Sequence, residues 1–354
     1  MQLIELSYKS VHWELRDLKL KEVNLIVGKN SVGKSRTLAT IGFLYNIITQ
    51  KAKLNNKENW IIKFKKSNSI LEYEISTYAS RREVKHERIL LNGEEVLKRR
   101  NGSLAEVKSI KTNKWTKLNP PKDRLILQTF RDVVEYPFFE DIVRWAENSF
   151  GFKFSNFDSF SNKPERYYGL SNSFRNAPFY FKNLSSKEQN QILLNLNSLG
   201  YNFTKLGVTY KQRTAKFYMK ENGVPNIIFD HKFSQGVLRS LTILVYFEYM
   251  LKNEQPTTIL IDDFCEGLDY ERATKLGKII FEKCKNSKVQ LIATSNDSFL
   301  MDIVDIEYWN VLQREGQVVN AISQSTHPDL FEKFRFTGLS NFDFFASDFI
   351  SQKL

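Results

Sequence analysis

Two short runs of alternating apolar and polar residues open the chain, Leu3-Ile4-Glu5-Leu6 and Trp13-Glu14-Leu15-Arg16-Asp17-Leu18-Lys19-Leu20. A period of two predicts strands, here an antiparallel hairpin over 1–22. Val23-Asn24-Leu25-Ile26-Val27 is apolar and β-branched, the composition of a buried strand, and Arg36 to Leu44 can run as a helix. Trp60 to Phe64, Ile70 to Ile75 and Arg88 to Leu91 return to period two with Asn92-Gly93 as a turn, which predicts a β meander. Asn119-Pro120-Pro121 breaks it. Arg124-Leu125-Ile126-Leu127-Gln128 then reads as a strand, and Phe138 to Asn148 and Lys187 to Leu199 as helices of an insertion. Strand character returns over 203–229 with a turn at Glu221-Asn222-Gly223, and closing strands are expected at Ile306 to Leu312 and Gln317 to Ile322. No heptad pattern is sustained, which excludes a long coiled coil. The expected domains are 1–130, an N-terminal lobe with the meander, 131–202, a helical insertion, and 203–354, a C-terminal lobe with a Phe-rich tail.

Between the buried strand and its helix lies Gly28-Lys29-Asn30-Ser31-Val32-Gly33-Lys34-Ser35, which satisfies G-x-x-x-x-G-K-[ST] at every fixed position. The glycines let backbone N–H groups converge on an anion at a helix N-terminus that continues into Arg36. Lys34 reaches the β- and γ-phosphates, and Ser35 Oγ is placed for Mg²⁺. The expected cofactors are therefore ATP and Mg²⁺. Tyr8, His12 or Trp13 could stack on the base, or simply cover the sheet edge.

Charge adds a second theme. The formal net charge is +12, and between Lys51 and Arg124 there are 19 Lys+Arg against 9 Asp+Glu. Such a lobe suits DNA or RNA, an acidic protein partner, or plain solvation. Two cysteines, Cys265 and Cys284, lack metal-ligand spacing and fit a reducing compartment. Leu241 to Leu251 carries Glu248 and is too short for a membrane span, and the first residues lack a leader pattern, so a cytoplasmic protein is expected.

Thr257-Thr258-Ile259-Leu260-Ile261-Asp262-Asp263 is a strand ending in two acids, the form of a Walker B strand, with Asp262 orienting the metal's water and Asp263 polarising the attacking water. Upstream, Phe233-Ser234-Gln235-Gly236 opens a helix and offers another phosphate-binding N-terminus. This run resembles the L-S-G-G-Q signature, and the order of phosphate loop, long insertion, signature, Walker B and the D-loop Gly267-Leu268-Asp269 resembles ABC-type ATPases of the RecF/SMC/OLD branch. More narrowly, with its short insertion, Ser-x-Gly signature and closing 338–345 segment, the chain looks like compact bacterial phage-defence ATPases of the OLD, Septu and PARIS types.

The resemblance implies an α/β P-loop NTPase fold with a mixed central sheet, an N-terminal antiparallel β lobe and a helical insertion. It also implies head-to-tail protomers or a higher homo-oligomer, with Ser234 and Gly236 acting in trans and Gln128 as a Q-loop glutamine at the metal. Two departures stand out. Asp263 replaces the usual Glu, and Asn296 in Ala293-Thr294-Ser295-Asn296-Asp297 replaces the usual His, which together predict slow hydrolysis. The function expected is an ATPase switch in an anti-phage complex that controls a separate effector, such as a nuclease. The alternative is a RecF-like DNA clamp in repair, whose DNA affinity would fall on neutralising Arg81, Arg82, Lys98, Arg99 and Arg100. A third reading is a scaffold that scarcely turns ATP over.

Overall fold

The computed structural model describes residues 1–153, 160–161, 176–211, 214–285, 287–347 and 349. The expected hairpin forms from β1 (Gln2–Lys9) and β2 (Glu14–Lys19), and β3 (Val23–Val27) leads through the glycine-rich loop into α1 (Lys34–Ile48). The meander has six strands, β4 (Asn59–Lys66), β5 (Ser69–Thr77), β6 (Val84–Leu91), β7 (Glu94–Arg100), β8 (Leu104–Lys108) and β9 (Trp115–Leu118). After α2 (Ile126–Thr129) and α3 (Pro137–Glu147) come β10 (Ser149–Phe152) and β11 (Phe160–Ser161), then α4 (Ala177–Lys182) and α5 (Ser186–Ser198). The second half holds β12 (Phe203–Lys211), β13 (Thr214–Glu221), β14 (Ile227–Phe229), α6 (Gln235–Asn253), β15 (Thr257–Ile261), α7 (Tyr270–Lys285) and β16 (Val289–Thr294). It closes with α8 (Ser298–Ile303), β17 (Trp309–Glu315), β18 (Val318–Ile322), α9 (Pro328–Arg335) and α10 (Asn341–Ala346).

Among the described residues one sheet of 14 strands runs in the order β10-β15-β16-β3-β17-β18-β2-β1-β4-β5-β6-β7-β8-β9. Its first five strands are parallel and the meander is antiparallel, so the sheet is mixed. Both faces of the parallel part are covered. Val23, Leu25 and Val27 enter one core with Ile259 and Ile261, while Ile26 and Leu260 enter the other. This explains why these strands read as continuous apolar runs. The second core holds Leu38, Ile41, Leu44 and Ile47 of α1 together with Ile62, Phe64, Tyr73 and Leu97 of the meander. The sheet therefore rolls around α1, a curl that strand twist accumulates over many strands.

Three expectations need correction. Leu125-Ile126-Leu127 is not a strand, because Ile126 begins a single helical turn whose N–H groups are met by side chains. Ile126 N–H donates to the Glu87 carboxylate at 3.1 Å and Leu125 N–H to Gln128 Oε1 at 2.9 Å. The stretch expected to be a helical insertion also supplies β10, which pairs in parallel with β15 in the main sheet; its middle, 154–159 and 162–175, lies outside the described residues. The first closing strand starts at Trp309, since Asp305 caps a 3-10 turn over Ile306–Tyr308.

The Phe-rich tail packs inward. Phe331, Phe334 and Phe344 are buried, with ring centroids of Phe334 and Phe344 4.6 Å apart, although Phe336 between the two helices is exposed. Among the described residues no helix is long and apolar enough to cross a membrane.

The basic lobe is also not what a count of charges suggests. Arg99 is fully buried, pairing with the equally buried Glu87 at 3.3 Å and donating to the carbonyls of Gly102, Pro121 and Arg124. Lys98 pairs with Glu106 at 2.8 Å and Arg88 with Glu74 and Glu95. Neither Arg99 nor Lys98 is thus available in the way the net charge implies.

Candidate active site

The phosphate loop follows β3, whose parallel neighbours β16 and β17 hold it in the middle of the sheet. Gly33 caps α1 at φ 113°, a left-handed backbone that side chains avoid. A Cβ there would lie 2.3 Å from Trp13 Cη2. At Gly28 a Cβ would meet Val32 at 2.7 Å and the Leu312 carbonyl at 3.1 Å. Both glycines are dictated by close approach.

Trp13 is buried beneath Gly33, with the Arg36 guanidinium 4.6 Å from its ring centroid, so it braces the loop. Tyr8 donates to Glu58 at 2.6 Å and packs on Trp60, which leaves His12 as the exposed aromatic of the three candidates for base stacking.

Lys34 is buried. Its Nζ donates to the Gly28 carbonyl at 2.7 Å and the Lys29 carbonyl at 3.3 Å, inside the curl of the loop. Burial lowers its pKa, opposed by Asp263 and Asp262 nearby. Ser35 and Arg36 follow on the exposed side of the first turn, and Lys29, Asn30 and Ser31 form the exposed rim. Arg314 holds that rim by donating to the Ser31 carbonyl at 3.2 Å.

The two acids leave the end of β15 beside this loop. Asp262 is 4% exposed and accepts from Thr294 Oγ1 at 2.9 Å, while its N–H donates to Phe152 O at the end of β10. Asp263 turns outward at φ 49°, a left-handed conformation that Asp tolerates better than most residues. Its backbone is clamped. Asp263 N–H donates to Thr294 Oγ1 at 2.8 Å, and Arg239 donates to Asp263 O at 2.5 Å and to Glu266 at 2.9 Å.

Burial raises the Asp263 pKa, with Asp262 and Glu266 adding to the rise and Lys34 and Arg239 opposing it. A base must be ionised to accept a proton, so the acid limb of turnover should lie above the pH of an ordinary aspartate. Glu266→Gln should move that limb to lower pH in a pH–rate profile, because one source of the rise is removed. An unmoved limb would mean that another group titrates.

Ser234 caps α6 by accepting from Val237 N–H at 3.3 Å, and Ser234 and Gln235 are exposed. Phe233 is half-buried just before them. Gly236 rests on the D-loop, where a Cβ would lie 2.8 Å from the Gly267 carbonyl. The signature is therefore built against the D-loop of its own chain and opens outward. Asn296 donates to Asn30 Oδ1 at 2.8 Å, which brings the switch position to the rim of the phosphate loop.

Gln128 does not join the site. Its Nε2 donates to the Ile47 carbonyl at 2.6 Å, near the far end of α1 and about 18 Å along the helix from Ser35 at 1.5 Å per residue. A metal role for Gln128 is incompatible with that position. The strand whose end actually abuts Asp262 is β10. Thr294 holds both acids and Arg239 holds Asp263; neither is assigned a role by the sequence, although Thr294 belongs to the 293–297 switch run.

These donors suit Mg²⁺ and a triphosphate. Hard carboxylate and hydroxyl oxygens of Asp262 and Ser35 match magnesium, and glycines at 28 and 33 let the loop backbone curl closely past Val32, Leu312 and Trp13, the curl that turns N–H groups toward an anion. When bound, Mg²⁺ would neutralise charge on the β- and γ-oxygens.

No curated protein matches the chain in sequence. Two solved SMC heads share its fold. One, bound to the C-winged helix domain of ScpA, is 12% identical with a TM-score of 0.54 over 93% of this chain and 99% of that one. The other, with an extended coiled coil and bound to the C-terminal domain of ScpA derived from Pyrococcus furiosus, is 10% identical with a TM-score of 0.53 over 94% and 99%. The family described as "AAA domain, putative AbiEii toxin, Type IV TA system" matches residues 23–302, most of the chain, and the chain belongs to that family of ATPase domains.

Proposed function

We propose that the chain is the ATP-binding and slowly hydrolysing switch of a cytoplasmic bacterial anti-phage complex, in which two copies meet head to tail and a separate effector, such as a nuclease, is held until a trigger arrives. The observation that carries this reading is the outward-facing Ser234–Gln235 corner, an exposed helix N-terminus whose buried Gly236 is seated on the D-loop. In the proposed pair, Lys34 and the loop amides from Gly28 to Arg36 bind the phosphates from one side. The partner's helix N-terminus receives the γ-phosphate from the other.

Ser35 and Asp262 hold Mg²⁺, Asp263 accepts the proton of the attacking water, and Asn296 donates toward the γ-phosphate. Asp263 is one methylene shorter than a glutamate, which supports slow turnover and a persistent ATP-bound state. Two further points favour a switch with an outside effector. The SMC heads that share the fold were solved bound to ScpA domains. The family description, moreover, names a toxin system.

Mass measurement with and without ATP tests it. Asp263→Asn should convert from monomer to dimer on adding ATP, whereas Asp263→Asn/Ser234→Arg should bind ATP and stay monomeric. ATP binding with no change of mass in the first variant would sink the composite site.

A further inference from the structure

The 14-stranded sheet ends at β9, which pairs with β8 and with no other strand among the described residues. Ser109 N–H donates to Lys114 O at 2.9 Å, and antiparallel bonding alternates along the strands from that pair. Thr116 and Leu118 therefore turn their backbone groups toward β8, while the N–H and C=O of Trp115 and Lys117 face away from it. No backbone partner meets these among the described residues. Shortness, bulges and prolines are the usual ways of keeping such an edge from pairing. β9 is short, but its four residues include no proline and its register no shift.

The side chains around this edge are apolar and exposed. Ile110 N–H donates to Glu135 O at 3.0 Å, which joins the β8–β9 turn to the segment before α3. Val134 is 63% exposed, Val133 59%, Ile110 46% and Trp115 41%, all at one end of the strand. Exposed Leu104 and half-buried Leu118 mark the other end, where Leu118 pairs with Ala105. Apolar groups gathered in this way on a surface mark a contact site. The charges beside them nearly cancel. Lys98 pairs with Glu106 at 2.8 Å and Lys108 with Glu94, and the Asp132 carboxyl is held low by the N–H groups of Glu135 and Val134, with Lys111 adding to the effect.

We propose that β9 pairs antiparallel with β9 of a second copy, about a two-fold axis through Thr116. Each outward-facing residue both donates and accepts, so the pair closes with two backbone bonds on either side of the axis. Trp115 then lies opposite Lys117 of the second copy, and Thr116 opposite its own counterpart. Both pairings are favourable across strands, and no like charges meet. The same operation carries the Ile110, Val133 and Val134 end of one copy to the Leu118 end of the other. This self-complementarity is what a two-fold interface requires, and it names the occupant. β15 and β3, which carry the acids and the phosphate loop, stand second and fourth from the opposite end of the sheet, so the edge pair needs no nucleotide and leaves the head-to-tail face free. A chain with two different self-complementary faces builds assemblies larger than a dimer.

Sedimentation velocity of the full chain without nucleotide, from about 1 to about 300 µM, tests the pairing, because a contact of so few residues fills only toward the concentrated end. The wild-type chain should pass from monomer to dimer. Lys117→Pro should weaken the dimer at least about tenfold, since it removes an N–H that the second copy uses and β8 does not. Val133→Asp/Val134→Asp, on a loop outside the sheet, should weaken it comparably and keeps the test open should proline disturb β9. Ile227→Asp, an apolar residue on β14 as exposed as Ile110, should change nothing. Ser234→Arg should dimerise like wild type, which separates the edge pair from the ATP-dependent one. The proposal is overturned if the chain stays monomeric over the whole range, which would leave the edge to a different protein, if neither edge variant weakens the dimer, or if Ser234→Arg abolishes it.

Discussion

Replacing Lys34 by alanine should lower phosphate release by at least about 10²–10³-fold, the scale of removing one preorganised electrostatic contact from a transition state. The reason is positional. Lys34 Nζ is buried within the loop at 2.7 Å from the Gly28 carbonyl and feels both Asp262 and Asp263, so it is a fixed cation where phosphate charge develops. A surface lysine would be replaced by water or counterions, and this one cannot be. Binding of a fluorescent ATP analogue should weaken in parallel, because a triphosphate would then meet two carboxylates with the opposing charge removed. Turnover within threefold of wild type would place the phosphates elsewhere.

Arg99→Ala should destabilise the fold by about 3–5 kcal/mol, the range for breaking a buried ion pair from one side. Arg99 and Glu87 are both fully buried, and Arg99 also ties the carbonyls of Gly102, Pro121 and Arg124 to the meander. Glu87 in turn accepts from Tyr73 Oη at 2.5 Å and from Ile126 N–H. Burial already pushes the Glu87 carboxyl up, with Arg99 foremost among the groups pulling it back, so losing the guanidinium leaves a charge with poor compensation. Urea unfolding measures the loss. Adding Glu87→Gln to Arg99→Ala should recover part of it, since the orphaned charge is gone. A double variant no more stable than the single one would show that the tethered carbonyls, rather than the pair, carry the energy.

The chemistry of the site is legible in the sequence where it is contiguous. Gly28 to Ser35 needs only a strand before it and a helix after it, and Thr257 to Asp263 only a strand, all of which form. What sequence alone hides is set by strand order. Because β16 stands between β15 and β3, Thr294 reaches Asp262 and Asp263, which lie about thirty residues away in the chain. Arg239 reaches the same corner from the second turn of α6, and Trp13 reaches Gly33 from the hairpin.

Leu125 to Leu127 shows the same limit at the level of local structure. Three apolar residues fit a strand or a buried helical turn equally well. The Glu87 carboxylate, 39 residues earlier, decides for the turn. The basic lobe is the opposite case, where the composition is right but its meaning changes once Arg99 is found inside the protein.

The roll of the sheet around α1 has a mechanical consequence. A helix packed on two sides by one unbroken ladder of strands has little room to tilt, because a close-packed interior resists local deformation. The turn that Ile47 and Gln50 hold at Gln128 is therefore tied to the same stiff rod that begins at the phosphate loop.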